Sequence, residues 1–342
     1  MKIFIPMAGK GTRLRPFTLT CPKPLLKIID KPIVEHLIDQ ITSRLTTQID
    51  EIIYILGDEA YFNSDVVSSL TLIAKKYNAK TKVYRQLDQL GTGHAIMCAE
   101  ESLHGPSIVA YADTMIQGQI TIEPDADGII WVKKVKDPSS YGVVSLDEKN
   151  NIIDLIEKPQ KYVSDLAVVG IYYFKDISII RDELKIHLND KLNPGKEYLL
   201  NYGIERMIEK KRVFKSQEIE TWMDCGTPKL LIESAKKIMS SKIILEENNS
   251  FIKSGNVKIT QPVFIGKNVK IKDSEIGPFV SIGDDTDISN SNIESTLIYK
   301  SVKVSNADIK NSILGAYSVY DGSNKEIFLG DYSQINNNED NL

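Results

Sequence analysis

Hydrophobic positions follow two different rhythms along this chain. In the first two thirds, short apolar runs at Lys2–Met7, Glu51–Gly57 and Ser107–Asp113 read as buried strands, and Lys80–Arg85, third in chain order, also returns to strand. Between the first three lie residues at helical spacing: Val34, Leu37, Ile38, Ile41 and Leu45, then Val66, Val67, Leu70, Ile73, Ala74 and Tyr77. Pro32 is suited to the first position of the first of these helices. Strand and helix in alternation predict an α/β domain, Rossmann-like, with a mostly parallel sheet and helices on both faces. Further strands are expected at Gly128–Val135, Tyr141–Val144, Ile152–Glu157 and Ala167–Phe174. A helix through Leu231 and Ala235 to Met239, capped by Thr227 and Pro228, closes this domain, placed at residues 1–242.

From Phe251 the rhythm changes. Isoleucines at 259, 265, 271, 276, 282, 288 and 293 keep a period near six with occasional loss of one residue, and Ile-Gly pairs recur at 265, 276 and 282. Such a hexapeptide pattern is the signature of a left-handed parallel β-helix, each short strand giving one aliphatic side chain to a stacked core. It is placed at residues 251–322, with 323–342, which contains Asn-Asn-Asn-Glu-Asp near its end, expected to be a flexible tail.

Composition narrows the class. A length of 342 residues suits two domains, and 42% hydrophobic with 26% charged residues is ordinary for a globular protein. No apolar run approaches the roughly 18 residues needed to span a bilayer, so no membrane association is expected. The N-terminus enters a strand at once, so no signal peptide is expected and the location is read as cytoplasmic. A net charge of −4 without a basic tail gives no reason to expect nucleic acid as a partner. Cys21, Cys98 and Cys225 are odd in number and far apart, which argues for reduced thiols over a disulfide framework or a zinc site.

Candidate chemistry begins at Ile5–Thr18. Gly9 and Gly11 allow a tight turn whose N–H groups can meet an anion, Arg13 offers a forked guanidinium, and Lys23 is held between Pro22 and Pro24. The dinucleotide fingerprint fails because Leu14 follows where a third glycine is needed, and the ATPase loop fails because Gly-Lys-Ser/Thr is absent. A triphosphate site remains. Gln86, five residues before Gly91 in Leu-Gly-Thr-Gly-His-Ala, offers a donor and an acceptor suited to a uracil or thymine edge. Asp113 ends an apolar strand on the same rim, where a divalent cation best explains a carboxylate beside a triphosphate. Glu157-Lys158-Pro159 delivers a carboxylate and an ammonium at a strand end. Each motif has an ordinary alternative: a tight turn, a solvated glutamine, an aspartate cap, a surface ion pair.

Together, Ala-Gly-Lys-Gly-Thr-Arg-Leu-Arg-Pro-Phe-Thr, the later Pro-Lys-Pro-Leu-Leu and Asp-Lys-Pro-Ile-Val-Glu-His-Leu-Ile resemble the N-terminal signature of the sugar-phosphate nucleotidylyltransferases. The resemblance runs through about the first 240 residues, and within the family the chain is most like the glucose-1-phosphate thymidylyl- and uridylyltransferases. It implies nucleotide contacts from Ala8, Gly9, Gly11, Thr12, Arg13, Gln86, Gly91 and Thr92, with Arg13 and Lys23 catalytic. It implies sugar-phosphate contacts from Gly142, Glu157, Lys158 and Gly170, and Mg²⁺ held by Asp113 and by Asp224 of Thr-Trp-Met-Asp-Cys-Gly-Thr. Ala112 stands where the family usually has glycine. The implied reaction joins a nucleoside triphosphate, UTP or dTTP, to a sugar 1-phosphate, glucose 1-phosphate before N-acetylglucosamine or mannose 1-phosphate. A silent regulatory homologue is the alternative from another class. An acyltransferase role for the β-helix is disfavoured because all four histidines, at 36, 94, 104 and 187, precede it; assembly into a homo-oligomer, or regulation, is expected of it instead.

Overall fold

The computed structural model describes residues 1–189, 197–241, 251–322 and 326–336. These form two compact units, Met1–Gly9 with Glu35–Trp222, and Lys10–Val34 with Met223–Leu342. By contact, Lys10–Val34 and the helix Pro228–Ser241 group with the C-terminal repeat.

The first unit is built on nine strands: β1 (Lys2–Pro6), β2 (Glu51–Leu56), β3 (Lys80–Arg85), β4 (Ser107–Ala110), β5 (Gly128–Lys134), β6 (Gly142–Leu146), β7 (Ile152–Glu157), β8 (Leu166–Phe174) and β9 (Phe214–Glu218). Their order is β7-β6-β8-β4-β1-β2-β3, with β5 beside β8 and β9 beside β5. Pairs among β1 to β4 are parallel, as is β5 with β9, whereas β8 runs antiparallel to β4, β5 and β6.

Alternation along the strands sorts side chains to two faces. Phe4, Ile53, Ile55 and Val109 share a core with Ile96 of the helix Thr92–Met97, Leu184 of the helix Ser178–Asn189 and Ile204 of the helix Leu200–Glu209. On the opposite face the Tyr54 hydroxyl donates to Leu70 O at 3.3 Å, in the helix Ser64–Lys76 that Asn63 caps by accepting from Asp65 N and Val66 N. Pro32 pairs with Lys27 in a two-residue ladder, and the helix it was expected to open begins one residue later, at Ile33.

In the second unit the repeat folds as a parallel β-helix with three ladders. One runs Val263–Ile265, Val280–Ile282, Leu297–Ile298, Ile313–Leu314 and Phe328–Leu329. Along another, Ile252 pairs with Lys270, Lys270 with Asp287, Asp287 with Lys303, Lys303 with Val319 and Val319 with Gln334, so the coil length falls from 18 residues to 17, 16, 16 and 15. Ile271, Ile276, Ile282, Ile288, Ile293, Ile298, Val304, Ile309, Leu314 and Tyr320 point inward, each no more than 2% exposed. Corners are turned in the left-handed region: Asn268, Asp285, Ser301, Tyr317 and Tyr332 have φ of 55°, 57°, 57°, 60° and 57°, at the same falling interval. Asn, Asp and Ser tolerate that region locally, and the two tyrosines there stack at 4.9 Å.

The expected tail is corrected by this geometry. Phe328–Leu329 and Gln334–Ile335 complete the ladders, so residues 326–336 are another turn of coil; 323–325 and 337–342 lie outside the described residues. No described helix is long and apolar enough to cross a membrane.

One acid in this fold is held out of its usual range. Burial, and then Asp154 and Glu209 nearby, push the Glu205 carboxyl of the helix Leu200–Glu209 up to about 7. Its folded pKa thus lies above its unfolded one, so its favourable contribution is complete below about pH 4.5 and lost as pH rises through 7. Glu205→Gln is expected to match the parent in thermal unfolding near pH 4 and to exceed it near pH 8.5, by roughly 1–2 kcal/mol once solvent screening of a partly exposed carboxyl is allowed for. An equal effect at both pH values would count against the burial argument.

Candidate active site

Register sets the rim on which the first unit can do chemistry. Pro6 pairs with Ile55 and Leu56 with Arg85, so β1, β2 and β3 end together, and β4 ends two residues before Ala112-Asp113. Ala8, Gln86 and Asp113 all leave the sheet from these carboxyl ends, where ligands of open α/β sheets bind. Ala8 is fixed: its carbonyl accepts from Gln89 Nε2 at 3.3 Å and would be 2.7 Å from a Cβ on Gly57. At Gly9 an added Cβ would meet nothing within 4 Å, so no chain atom demands the glycine.

Gln86 is buried, and its Nε2 donates to Gly91 O at 2.9 Å and pairs with His94 Nδ1 at 3.1 Å. Its amide nitrogen therefore shapes the glycine turn, leaving Oε1 as its acceptor. Gly91 (φ 117°) was expected to admit a flat ligand; the group that comes close is the backbone of Tyr198, 2.6 Å from a Cβ at that position. Gly93 N and Tyr198 N close the contact, donating to Tyr198 O and Leu90 O at 2.7 Å each.

A buried polar chain runs on from Thr92. Thr92 Oγ1 accepts from Leu200 N at 3.0 Å, and the Tyr111 hydroxyl interacts with those of Thr92 and Tyr172. The Tyr172 hydroxyl donates to Asn201 Oδ1 at 2.9 Å, and Asn201 Nδ2 donates to Glu157 Oε2 at 2.7 Å. Burial pushes Tyr111 up to about 12 and Tyr172 well above its usual value, so both remain neutral phenols near pH 7. Thr92 and Glu157, assigned to opposite substrates by the sequence, are thus tied through three side chains that the sequence did not single out. Tyr111, Tyr172 and Asn201 carry no motif of their own; only the strand and helix pairings bring them together.

Gly142 and Gly170 serve this chain. A Cβ on Gly142 would lie 2.8 Å from Asn201 Nδ2 and 3.0 Å from Glu157 Oε2; one on Gly170 (φ 84°) would lie 2.6 Å from Tyr111 Cδ2. Lys158 is exposed and has φ 46° immediately before Pro159, where extended backbone is normal. Non-glycine residues held in this region cluster at functional sites.

Gly11, Thr12, Arg13, Lys23 and Asp224 belong to the second unit. Gly11 (φ 60°, ψ 38°) precedes a 3₁₀ turn, Thr12–Leu14, and its carbonyl accepts from Thr18 Oγ1 at 2.8 Å. A Cβ there would lie 2.9 Å from Lys23 Cβ, so the glycine lets the loop close over Lys23. Lys23 is 8% exposed and opens a second 3₁₀ turn, Lys23–Leu25, as its flanking prolines require. Thr12 and Arg13 are exposed. At Gly226 an added Cβ would lie 3.2 Å from Arg13 Nη2 and 2.9 Å from Asp224 Oδ1, which itself accepts from Gly226 N at 2.7 Å. Arg13 Nη2 and Asp224 Oδ1 thus both flank Gly226, while Thr227 Oγ1 takes the helix cap by accepting from Leu230 N at 3.3 Å.

Among the described residues no three His, Cys, Asp or Glu side chains converge as a protein-only metal cage. The expected donors, two carboxylates, fit a hard divalent cation that completes its shell with water and substrate phosphate oxygens.

Residues 4–241 match the Nucleotidyl transferase family. Glucose-1-phosphate thymidylyltransferase of Streptomyces antibioticus is 28% identical, over 98% of this chain and 99% of that protein. Bifunctional protein GlmU of Methanocaldococcus jannaschii is 32% identical over 81% of this chain, which spans 61% of that relative's length. Of solved structures, a putative glucose-1-phosphate thymidylyltransferase from Bacillus anthracis in complex with a sucrose superposes with a TM-score of 0.58 at 25% identity, covering 69% of this chain and 94% of that one. A UDP-glucose pyrophosphorylase complexed with UDP-glucose shares the fold, with a TM-score of 0.56 at 24% identity over 70% of this chain and 99% of that one. A glycine loop at the end of β1, an acid at the end of β4 and a family match across most of the chain agree: the protein belongs to the nucleotidyl transferase family, as an enzyme of the sugar-1-phosphate nucleotidyltransferase type.

Proposed function

We propose that the protein transfers a nucleotidyl group from UTP or dTTP to a sugar 1-phosphate, with glucose 1-phosphate the leading substrate. The sugar phosphate oxygen attacks the α-phosphorus in line, the bond from that phosphorus to the bridging oxygen breaks, and pyrophosphate leaves. The observation that carries this reading is the chain Thr92, Tyr111, Tyr172, Asn201, Glu157. It sets a nucleotide-side hydroxyl and a sugar-side carboxylate in one fixed frame, and positioning is what such a transfer chiefly requires.

In this reading the Gly9 and Gly11 loop and Arg13 hold the triphosphate, Lys23 neutralises charge between the reacting phosphates, and Lys158 holds the sugar phosphate. Glu157 meets sugar hydroxyls beside Gly142 and Gly170. Gln86, its NH₂ engaged by Gly91 O, presents Oε1 to a base carrying a ring N–H donor, which uracil, thymine and guanine have there and adenine and cytosine lack. Family members generally use a divalent metal ion. Asp113 and Asp224 would hold Mg²⁺ here, and the ion would supply charge neutralisation on the phosphates. The β-helix would also carry self-association.

Pyrophosphate release, measured with Mg²⁺ across four triphosphates and a panel of sugar 1-phosphates, tests the reaction. Release that needs both substrates and is strongest with UTP or dTTP is expected; no release from any pair would overturn it. Lys23→Ala should lower kcat on the order of 100-fold while KM moves little; unchanged turnover would remove Lys23 from the mechanism. Gly9→Ala is a sharper probe, because its methyl meets no protein atom. Its melting temperature should hold while KM for the triphosphate rises at least about tenfold, and wild-type kinetics would show that no ligand passes there. Asn201→Ala strips a partner from both Tyr172 and Glu157, and should cost about 1–3 kcal/mol in unfolding and raise KM for the sugar phosphate. Parental kinetics in that variant would separate the polar chain from substrate positioning.

A further inference from the structure

The loop that carries Arg13 and Lys23 groups with the β-helix, and four contacts hold it there. Asp331 bridges the two: Oδ2 accepts from Thr20 Oγ1 at 2.6 Å while Oδ1 accepts from Ala316 N of the coil at 2.7 Å. The Tyr299 hydroxyl donates to Lys27 O at 3.2 Å, and its ring meets the buried Phe17 edge to face, with centroids 6.5 Å apart. Gly330 admits Pro16, whose Cβ would be 2.9 Å from a side chain at that position. Three anchors (Pro16, Phe17, Thr20) precede Lys23 and one (Lys27) follows it. Within this span Leu26 N donates to Lys23 O at 3.1 Å, and Gly11 packs on the Lys23 Cβ.

Part of the seam is open. A cavity of about 450 Å³ separates Leu25, Ile29 and Asp30 of the loop from Phe264, Tyr299 and Ala316 of the coil. Beside this opening the directed contacts of Thr20 and Lys27 tie the loop to the coil. The groups at the anchors stay protonated: burial and Asp331 push the Cys21 thiol up to about 12, and burial raises Tyr299 further above its own usual value. The hydroxyl of Tyr299 is thus a permanent donor to Lys27 O.

We propose that the β-helix positions the catalytic loop, with Asp331 and Tyr299 as positioning residues that set Arg13 and Lys23 through bonds to Thr20 and Lys27 spanning 311 and 272 residues. This rests on the roles proposed above for Arg13 and Lys23. It gives the coil a part in each turnover of its own subunit, independent of self-association.

Thr20→Val and Tyr299→Phe, singly and together in the full-length protein, remove the two bridging hydrogen bonds without touching the bond from Ala316 N to Asp331. Three measurements follow: hydrogen exchange of residues 12–28 without substrate, melting temperature, and kcat and KM for pyrophosphate release. The double variant should exchange on the order of tenfold faster across 12–28, with exchange in the coil unchanged. Its kcat should fall by a similar factor at nearly constant KM, with a melting temperature close to the parent's, and Thr20→Ser should restore both exchange and kcat. Unchanged exchange at 12–28 overturns the brace, and faster exchange with parental kcat overturns its part in the reaction. Failure of the unmodified protein to release pyrophosphate would fall on the functional reading alone, since the exchange measurement needs no substrate.

Discussion

Parallel pairing of Lys2–Pro6 with Glu51–Leu56 on one side and Ser107–Ala110 on the other is the constraint on which the first unit depends. Parallel strands send every carboxyl end the same way, so one register decision delivers Ala8, Gly57, Gln86 and Asp113 to a single rim. The antiparallel strand Leu166–Phe174 then brings Gly170 back against Tyr111 at that rim. A slip of one residue in β1 would turn Phe4 from the core it shares with Ile53 and Val109. Burial and chemistry are therefore set by the same pairing.

Most strands of the first unit were legible as short apolar runs with a polar or glycine-bearing end, whereas Phe214–Glu218, with one apolar residue in five, was not. The glycines were legible as needing to be glycines, but not as to why. At Gly91, Gly142 and Gly170 the atoms that exclude a side chain belong to Tyr198, Asn201 with Glu157, and Tyr111. A sequence records that room is required without recording what fills it. Gly9 alone of the glycines assigned to the site has no protein atom within 4 Å of an added Cβ. The bond between Thr20 and Asp331 spans 311 residues and carries no local pattern. The last turn of coil was hidden for another reason: its interval has dropped to 15 residues and its strands to two, below what a hexapeptide count detects.

Two kinds of rigidity meet in this protein. In the first unit, neutral buried phenols link Thr92 to Glu157 through bonds that titration does not break near neutral pH. In the second, Lys23 is 8% exposed and held on a proline-flanked 3₁₀ turn. Both follow from putting polar groups where water cannot replace a lost partner, which makes each link more costly to break than a surface contact.

The shortening coil has a further consequence. Along one ladder the first interval is 18 residues and the last is 15, so the two ends of the stack have different perimeters and their strand edges do not superimpose. A prism of constant cross-section would offer each end as a template for the other in a second copy, and could grow into a filament. Here three residues are lost over the five described intervals, so the coil tapers, and a taper of this kind works against growth of one end upon the other.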